Sequence, residues 1–359
     1  MSAIASAPAT SRWQPFLIPV LLLVGVALLP LTDLVLPQKL LFASIMPQVF
    51  VFALCSLGLT VVTGFSGLLN LGVIAFMAIG VYTYAIATCP VYPFQIGFWP
   101  GLLVATAAGG LSGVVLGLPT MRLRGDYLAI VTLGFGEIVQ DCLKNLEIVT
   151  KGTTGINPLP PPAIPGHGYQ PIYYLFLALL VLAVILVRNL QRSRVGRAWL
   201  AIRDDELAAR SMGIGVAKQK LAAFAVGAGL CAAAGALFAA LRGTSIEPGY
   251  YDFQNSVLVL ASVIIGGLGS IGGALLGALI IFGINLIVLN KLVELLALNS
   301  STTHNVLLNP LNWKCLIYGL ALVLMMRFRP QGLLPPRGPL AQARPEAQPG
   351  ITAQRASAP

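Results

Sequence analysis

Ionic side chains are scarce in this chain: Asp, Glu, Lys and Arg make up 9% of its 359 residues, while 57% are apolar. Soluble domains carry roughly 25% charged residues, and a soluble fold of this length could not keep its surface wetted with so few ions. Cysteine occurs five times, at Cys55, Cys89, Cys142, Cys231 and Cys315, and never as a CxxC pair. Four of them fall within or beside apolar stretches and read as small buried hydrophobes, with no disulfide and no metal site expected. His167 and His304 are the two histidines and lie far from each other and from every cysteine, too little for a zinc constellation. A membrane enzyme would need nucleophile, base or metal ligands gathered at one depth, and this inventory does not supply them. No G-x-x-x-x-G-K-[ST] is present, so the chain has no phosphate-cradling loop of its own.

Long apolar runs are what the sequence has in abundance. Its 25 prolines and 38 glycines are scattered among Leu, Val, Ile and Ala, as is common in membrane helices. A helix needs about 20 apolar residues to cross a hydrocarbon core roughly 30 Å thick. Six candidate spans precede the most charged segment: Phe16 to Leu36, Leu40 to Thr63, Leu68 to Thr88, Gly97 to Pro119, Tyr127 to Leu143 and Ile172 to Arg188. Four follow it: Leu221 to Leu241, Ser256 to Gly267, Ser270 to Asn290 and Trp313 to Met326. The first reads as a retained helix rather than a cleaved signal, because only Arg12 precedes it and no clear small-x-small cleavage site stands before Asp33.

The formal charge of +10 raises the question of nucleic acid, and the placement of the 22 Lys and Arg answers it. They lie in loops and tails. With both termini in the cytoplasm, Arg12, Arg122, Arg124, the eight cations from Arg188 to Lys220, and Arg327, Arg329, Arg337, Arg344 and Arg355 fall inside; six fall outside. That asymmetry follows the positive-inside rule. The expected fold is all-α, a polytopic integral membrane helical bundle of about ten transmembrane helices with both termini cytoplasmic. Residues 1–15 are an N-terminal tail, 16–329 the membrane domain with a cytoplasmic loop at 189–220, and 330–359 a Pro-, Ala- and Gln-rich tail expected to be disordered.

The cytoplasmic loop is the most informative stretch. In "RSRVGRAWLAIRDDELAARSMGIGVAKQKLAAFAVGAGL", from Arg192 to Leu230, Trp199, Ile202 and Leu207 can share one face of a short helix. Arg203, Asp204, Asp205, Glu206 and Arg210 crowd the other, and Gly213 and Gly215 end it. Such a helix suits a groove on a soluble partner; the alternative is an interfacial helix lying on lipid headgroups, which three consecutive acids disfavour. "AIRDDELAARSMGI" followed by "KLAAFAVGAGLCAAAGAL" resembles the coupling segment of ABC importer membrane subunits, whose pattern is Glu-Ala-Ala, three residues, then Gly. Ala208, Ala209 and Gly213 keep that spacing, with Glu206 one place early. "VVTGFSGLLNLGVIAFMAIGVYTYA" from Val61, and "MRLRGDYLAIVTLGFGEIV" with "TKGTTGI" between Met121 and Ile156, extend the likeness. Together they resemble the M-type permease subunit of branched-chain amino acid ABC importers, a family that also includes urea and short-amide importers, over about Leu40 to Pro336. Val73 departs from the pattern, where relatives often carry a His.

The resemblance implies a division of labour. The chain would pair with a second, similar permease subunit in a bacterial cytoplasmic membrane. Two cytoplasmic ATPase subunits would bind ATP and Mg, and a periplasmic or lipid-anchored binding protein would deliver substrate. Arg203, Asp204, Asp205, Glu206, Ala208, Ala209, Arg210 and Gly213 would form the ATPase-coupling helix. A self-contained secondary transporter, the rival reading, would want several intramembrane ionisable residues and internal repeats.

Other features stay open on sequence grounds. Gly64, Gly67, Asn70 and Gly72 interrupt an apolar run, as in a broken helix that meets a zwitterionic substrate or in a plain cytoplasmic turn. Glu137 stands about ten residues into its span; it lines a substrate path, bonds to another helix, or belongs nearer the surface than the span places it. "GLGSIG" at Gly267 to Gly272 fits a dinucleotide motif but lies between apolar helical runs rather than after a strand. Gly269, Gly273 and Gly277, like Gly109, Gly113 and Gly117, recur every fourth residue, which lets helix backbones approach in lipid. Gly266 to Gly273 also reads as a tight turn between two half-length helices, so Gly266, Gly267, Gly269, Gly273 and Gly277 are packing or hinge candidates. The proline-stiffened segment Lys151 to Gly168 meets a binding protein or simply connects two spans.

Overall fold

A computed structural model of the chain describes residues 42–121, 123, 126–160, 170–245, 247–289, 314–329 and 332–334. The span expected at 16–36, Arg122, Arg124 and both histidines lie outside the described residues. All regular structure among the described residues is helical. Helix α1 covers Phe42–Leu59 and continues as a π-helical turn, Thr60–Phe65. Then come α2 (Val73–Thr88), α3 (Phe98–Thr120), α4 (Asp126–Asn145), α5 (Gln170–Arg192), α6 (Arg194–Asp204), α7 (Glu206–Ser211) and α8 (Val216–Arg242). The series ends with α9 (Phe253–Gly266), α10 (Ile271–Gly283, extended by the π turn Ile284–Leu289) and α11 (Lys314–Phe328).

Among the described residues, four stretches are long and apolar enough to cross a membrane: Ile45–Phe65, Phe98–Thr120, Pro171–Arg192 and Val216–Arg242. Val73–Thr88, Ile271–Leu286 and Tyr318–Phe328 are shorter apolar helices. Burial separates helices that composition does not. The most apolar stretch of α1 is 89% buried inside the protein, against 33% for α3 and 28% for α5. Thus α1 is enclosed by other helices, while α3 and α5 turn Leu103, Leu111, Val115, Leu182 and Leu186 outward, as lipid-facing helices do.

Helix α8 is the hub, packed against α1, α2 and α3, and α1 in turn receives α5, α9 and α10. Hydrocarbon tails are as apolar as leucine, so close contact in lipid depends on small residues rather than on expulsion of water. The seam is built that way. A methyl group at Gly109 would overlap the Ala232 side chain, one at Gly113 would press on Ala228 and the Phe224 carbonyl, and one at Gly80 would overlap the Ala232 backbone. At the α9–α10 contact, a methyl at Gly277 would overlap the Ser262 carbonyl, and one at Gly266 the Gly273 carbonyl. Polar contacts add register: the Ser56 and Ser262 hydroxyls pair at 2.7 Å between α1 and α9. Phe52 stacks on Phe282 with ring centroids 4.1 Å apart, tying α1 to α10.

Two sequence expectations need correction. The connection 189–220, expected to hold one short helix, is helical for most of its length: α5 runs on to Arg192, α6 and α7 follow, and α8 begins at Val216, well before the apolar run. The span expected from Leu68 begins as irregular, non-helical chain, and α2 starts only at Val73. Past α11, Gly332–Leu334 folds back: the Leu333 and Leu334 amides donate to the Ile265 and Gly266 carbonyls at 2.9 Å each, satisfying the last turn of α9.

Candidate functional site

The segment expected to be one amphipathic helix is two, meeting at an elbow. Asp205 adopts an extended backbone (φ −153°, ψ 112°), ends α6 and caps α7: its Oδ1 accepts from the Leu207 and Ala208 amides at 2.8 and 3.1 Å. An aspartate satisfies the free amides of a helix start and favours its dipole, so the second of three consecutive acids breaks the helix. Ser193 caps α6 in the same manner, accepting from the Gly196 amide. Gly213, at φ +82°, closes α7 in the left-handed region that glycine adopts without strain.

The elbow has an inner and an outer face. Trp199 is fully buried among Val61, Phe65, Val187 and Ala223, and its indole N–H donates to the Gln219 carbonyl at 2.8 Å. Ile202, Ala209 and Val216 form a small apolar cluster of their own. Lys220, buried at the start of α8, donates to Glu206 Oε2 at 2.9 Å, and Arg210 lies 3.8 Å from the other carboxylate oxygen. Trp199 and Lys220 therefore fix α6 and α7 to α8. Leu207 does not share the apolar face with Trp199 and Ile202 as the spacing suggested, because the break at Asp205 rotates α7 away. It is 62% exposed and stands with Met212 (83% exposed), Asp204, Asp205, Ala208 and Arg210 on the outer face.

Arg203 also departs from the sequence picture by turning inward. Its Nη1 donates to the Gly64 carbonyl in the π turn that ends α1. Its side chain lies over Gly67, where a methyl group would sit 3.0 Å from Arg203 Cγ. A methyl at Gly269, in the α9–α10 turn, would lie 2.7 Å from Arg203 Nη1. Burial lowers the guanidinium pKa from its ordinary value, with the neighbouring Asp204 opposing that shift. Gly64 and Gly269 also touch directly: a methyl at Gly64 would fall 2.9 Å from the Gly269 amide nitrogen. Two segments far apart in sequence thus converge on one arginine.

Asn70 and Gly72 go elsewhere. Asn70 Oδ1 accepts from the Gly72 amide at 3.0 Å, and the Leu71 amide donates to Thr132 Oγ1 at 3.0 Å. Gly72 is pressed against Thr132 and Gly136 of α4, so the broken segment ends beside the residue preceding Glu137. Glu137 is exposed on the outer side of α4, in the company of Tyr127, Ile130, Ile138 and Asp141. Gly266, Gly273 and Gly277 gather at the α9–α10 contact, while Gly267, the cap of α9, lies against Gly332. Lys220 was missed by sequence reasoning; its only signal was a lone lysine at the edge of an apolar run, 14 residues after Glu206. Thr63, whose buried hydroxyl has no partner among the described residues, gave no signal at all.

Comparison with known proteins bears on this arrangement. Residues 41–326 match the family model described as branched-chain amino acid transport system, permease component. The chain is 38% identical over 311 residues to the high-affinity branched-chain amino acid transport system permease protein LivM of Escherichia coli K12, covering 79% of this chain and 68% of that protein. It is 23% identical over 237 residues to the probable LivM of Methanocaldococcus jannaschii, covering 65% of this chain and 67% of that protein. It is 26% identical over 259 residues to the E. coli K12 permease protein LivH, covering 64% and 79% respectively. No solved structure matches the chain significantly.

Proposed function

The chain belongs to the family of permease components of branched-chain amino acid transport systems, and on that premise we propose how it works as a membrane subunit of an ABC importer. It carries branched-chain or other aliphatic amino acids inward across the bacterial cytoplasmic membrane, spanning it about ten times with both termini inside. The relatives described above are named for branched-chain amino acid transport, which favours that substrate class over urea or short amides. A second, similar permease subunit completes the path. ATP and Mg are bound by two cytoplasmic ATPase subunits, and a binding protein supplies substrate at the other face.

The observation that carries this reading is the elbow itself. A segment fixed to α8 through Trp199 and Lys220 presents Leu207 and Met212 outward, with Asp204 and Arg210 beside them. Exposed apolar side chains ringed by charges suit a soluble protein partner. Movement of the ATPase pair would push the elbow as a lever, and because α8 touches α1, α2 and α3, the push tilts much of the bundle. Alternating access follows with no covalent step in this subunit. The outer face of α4, with Glu137 and Asp141, is assigned to the path shared with the partner subunit, where an ionisable group in a membrane helix can be wetted or paired.

Replacing Leu207 and Met212 together with aspartate tests the docking surface. Both side chains are exposed, so yield and thermal stability should stay at wild-type values while co-purified ATPase and ATP-driven leucine uptake are lost. Full recovery of the ATPase with the double variant would refute the assignment.

A further inference from the structure

Arg203 lies within the segment that docks on the ATPase, yet its guanidinium faces the opposite way. The last carbonyls of a helix have no partner within the helix and need donors from elsewhere. Arg203 supplies one to Gly64, at the end of α1, and a cation at that position also complements the negative end of the α1 dipole. A structural arginine could stop there. This one also rests against Gly269, in the turn between α9 and α10, and covers Gly67, in the irregular segment that leads to α2. Gly67 and Gly269 hold left-handed backbones, at φ +70° and +86°, and neither has a side chain that would keep the guanidinium away. On its far side the α9–α10 turn is held by Leu333 and Leu334, whose amides bond to Ile265 and Gly266.

Trp199 and Lys220 already secure α6 and α7 to α8. Arg203 adds a polar connection from the elbow to the turn of the α9–α10 hairpin, which is otherwise packed mainly on α1 and α11, with lesser contacts to α2, α4 and α5 and with Ile271 at the edge of the Trp199 cluster. Resting on the reading of the elbow as the ATPase-driven lever, we propose that Arg203 is a positioning residue that transmits movement of the elbow to the α1 end and the α9–α10 hairpin together. Without it the lever still moves α8, but the hairpin no longer follows, and nucleotide hydrolysis is uncoupled from transport. The planar guanidinium can donate to Gly64 while lying against Gly269; a lysine can make one such contact and not both.

The test uses the full importer, with both permease subunits, the ATPases and the binding protein, reconstituted in liposomes. Leucine uptake and ATP hydrolysis are measured on the same preparation. For Arg203→Ala, uptake per ATP hydrolysed should fall about tenfold or more, while ATPase co-purification and hydrolysis stay near wild type. Arg203→Lys should fall between the two. A purely structural role would reduce the amount of assembled importer and lower uptake and hydrolysis together, leaving their ratio unchanged; that result overturns the proposal, as does an Arg203→Ala variant that transports normally. If Arg203→Ala does not assemble, the ratio for Arg203→Lys decides, a wild-type value counting against the proposal. Absence of ATP-driven leucine uptake by the wild-type importer would instead bring down the reading of the elbow itself, and the proposal with it.

Discussion

Along the α3–α8 seam, Gly109 and Gly113 lie against Ala232 and Ala228, whereas at the elbow Gly64, Gly67 and Gly269 lie against a single arginine. The same residue type does different work in the two places. In the seam it lets two backbones come close, and the contact is apolar and repeated over several turns. At the elbow it leaves room for one long polar side chain whose bonds can be broken and remade. A membrane protein that must be rigid in one region and movable in another can use glycine for both, provided what faces the glycine differs.

That contrast can be broken most severely where α2 joins the same apolar packing around Ala232 of α8. Gly80→Leu would drive a side chain into the Ala232 backbone, where even a methyl group overlaps, and cores respond poorly to added volume. The variant is expected to be lost to aggregation on detergent extraction, and a monodisperse peak at wild-type yield in size-exclusion chromatography would show that the seam is less rigid than described. Next in size is Trp199→Ala, which empties a fully buried site and leaves the Gln219 carbonyl without its donor. A loss of about 3–5 kcal/mol should appear as a lower melting temperature of the purified protein, with weaker ATPase binding because the elbow is no longer fixed to α8. The smallest effect on stability belongs to Glu137→Gln: the side chain is exposed, so stability should change by no more than about 0.5 kcal/mol. Leucine uptake should nevertheless fall, and unchanged uptake would remove Glu137 from the path.

Much of the helical order was legible because apolar runs of spanning length are a composition signal that needs no tertiary knowledge. The nine expected spans within the described residues each contain a helix. What failed was the charged segment. Arg203, Asp204, Asp205 and Glu206 stand side by side and were given one exposed face, yet they take four different roles: inward donor to Gly64, exposed acid, helix cap and partner of Lys220. A helical wheel assumes an unbroken helix, and the cap at Asp205 ends that assumption. The glycines Gly64 and Gly67 were grouped with Asn70 and Gly72 because they are neighbours in sequence. In the structure the first two sit under Arg203 and the last two reach α4.

The sequence by itself determined the solvent of this protein, the approximate positions of its helices and the place of its most charged segment. All three follow from local composition: few charges, runs long enough for a bilayer, and a short charged stretch that cannot enter one. Only the tertiary structure decided which helix is enclosed, which faces lipid, and which way Arg203 points. Those depend on contacts between residues up to some two hundred positions apart, such as Ser56 with Ser262 and Arg203 with Gly64, and helices of similar apolarity carry no local mark of the neighbour they will meet.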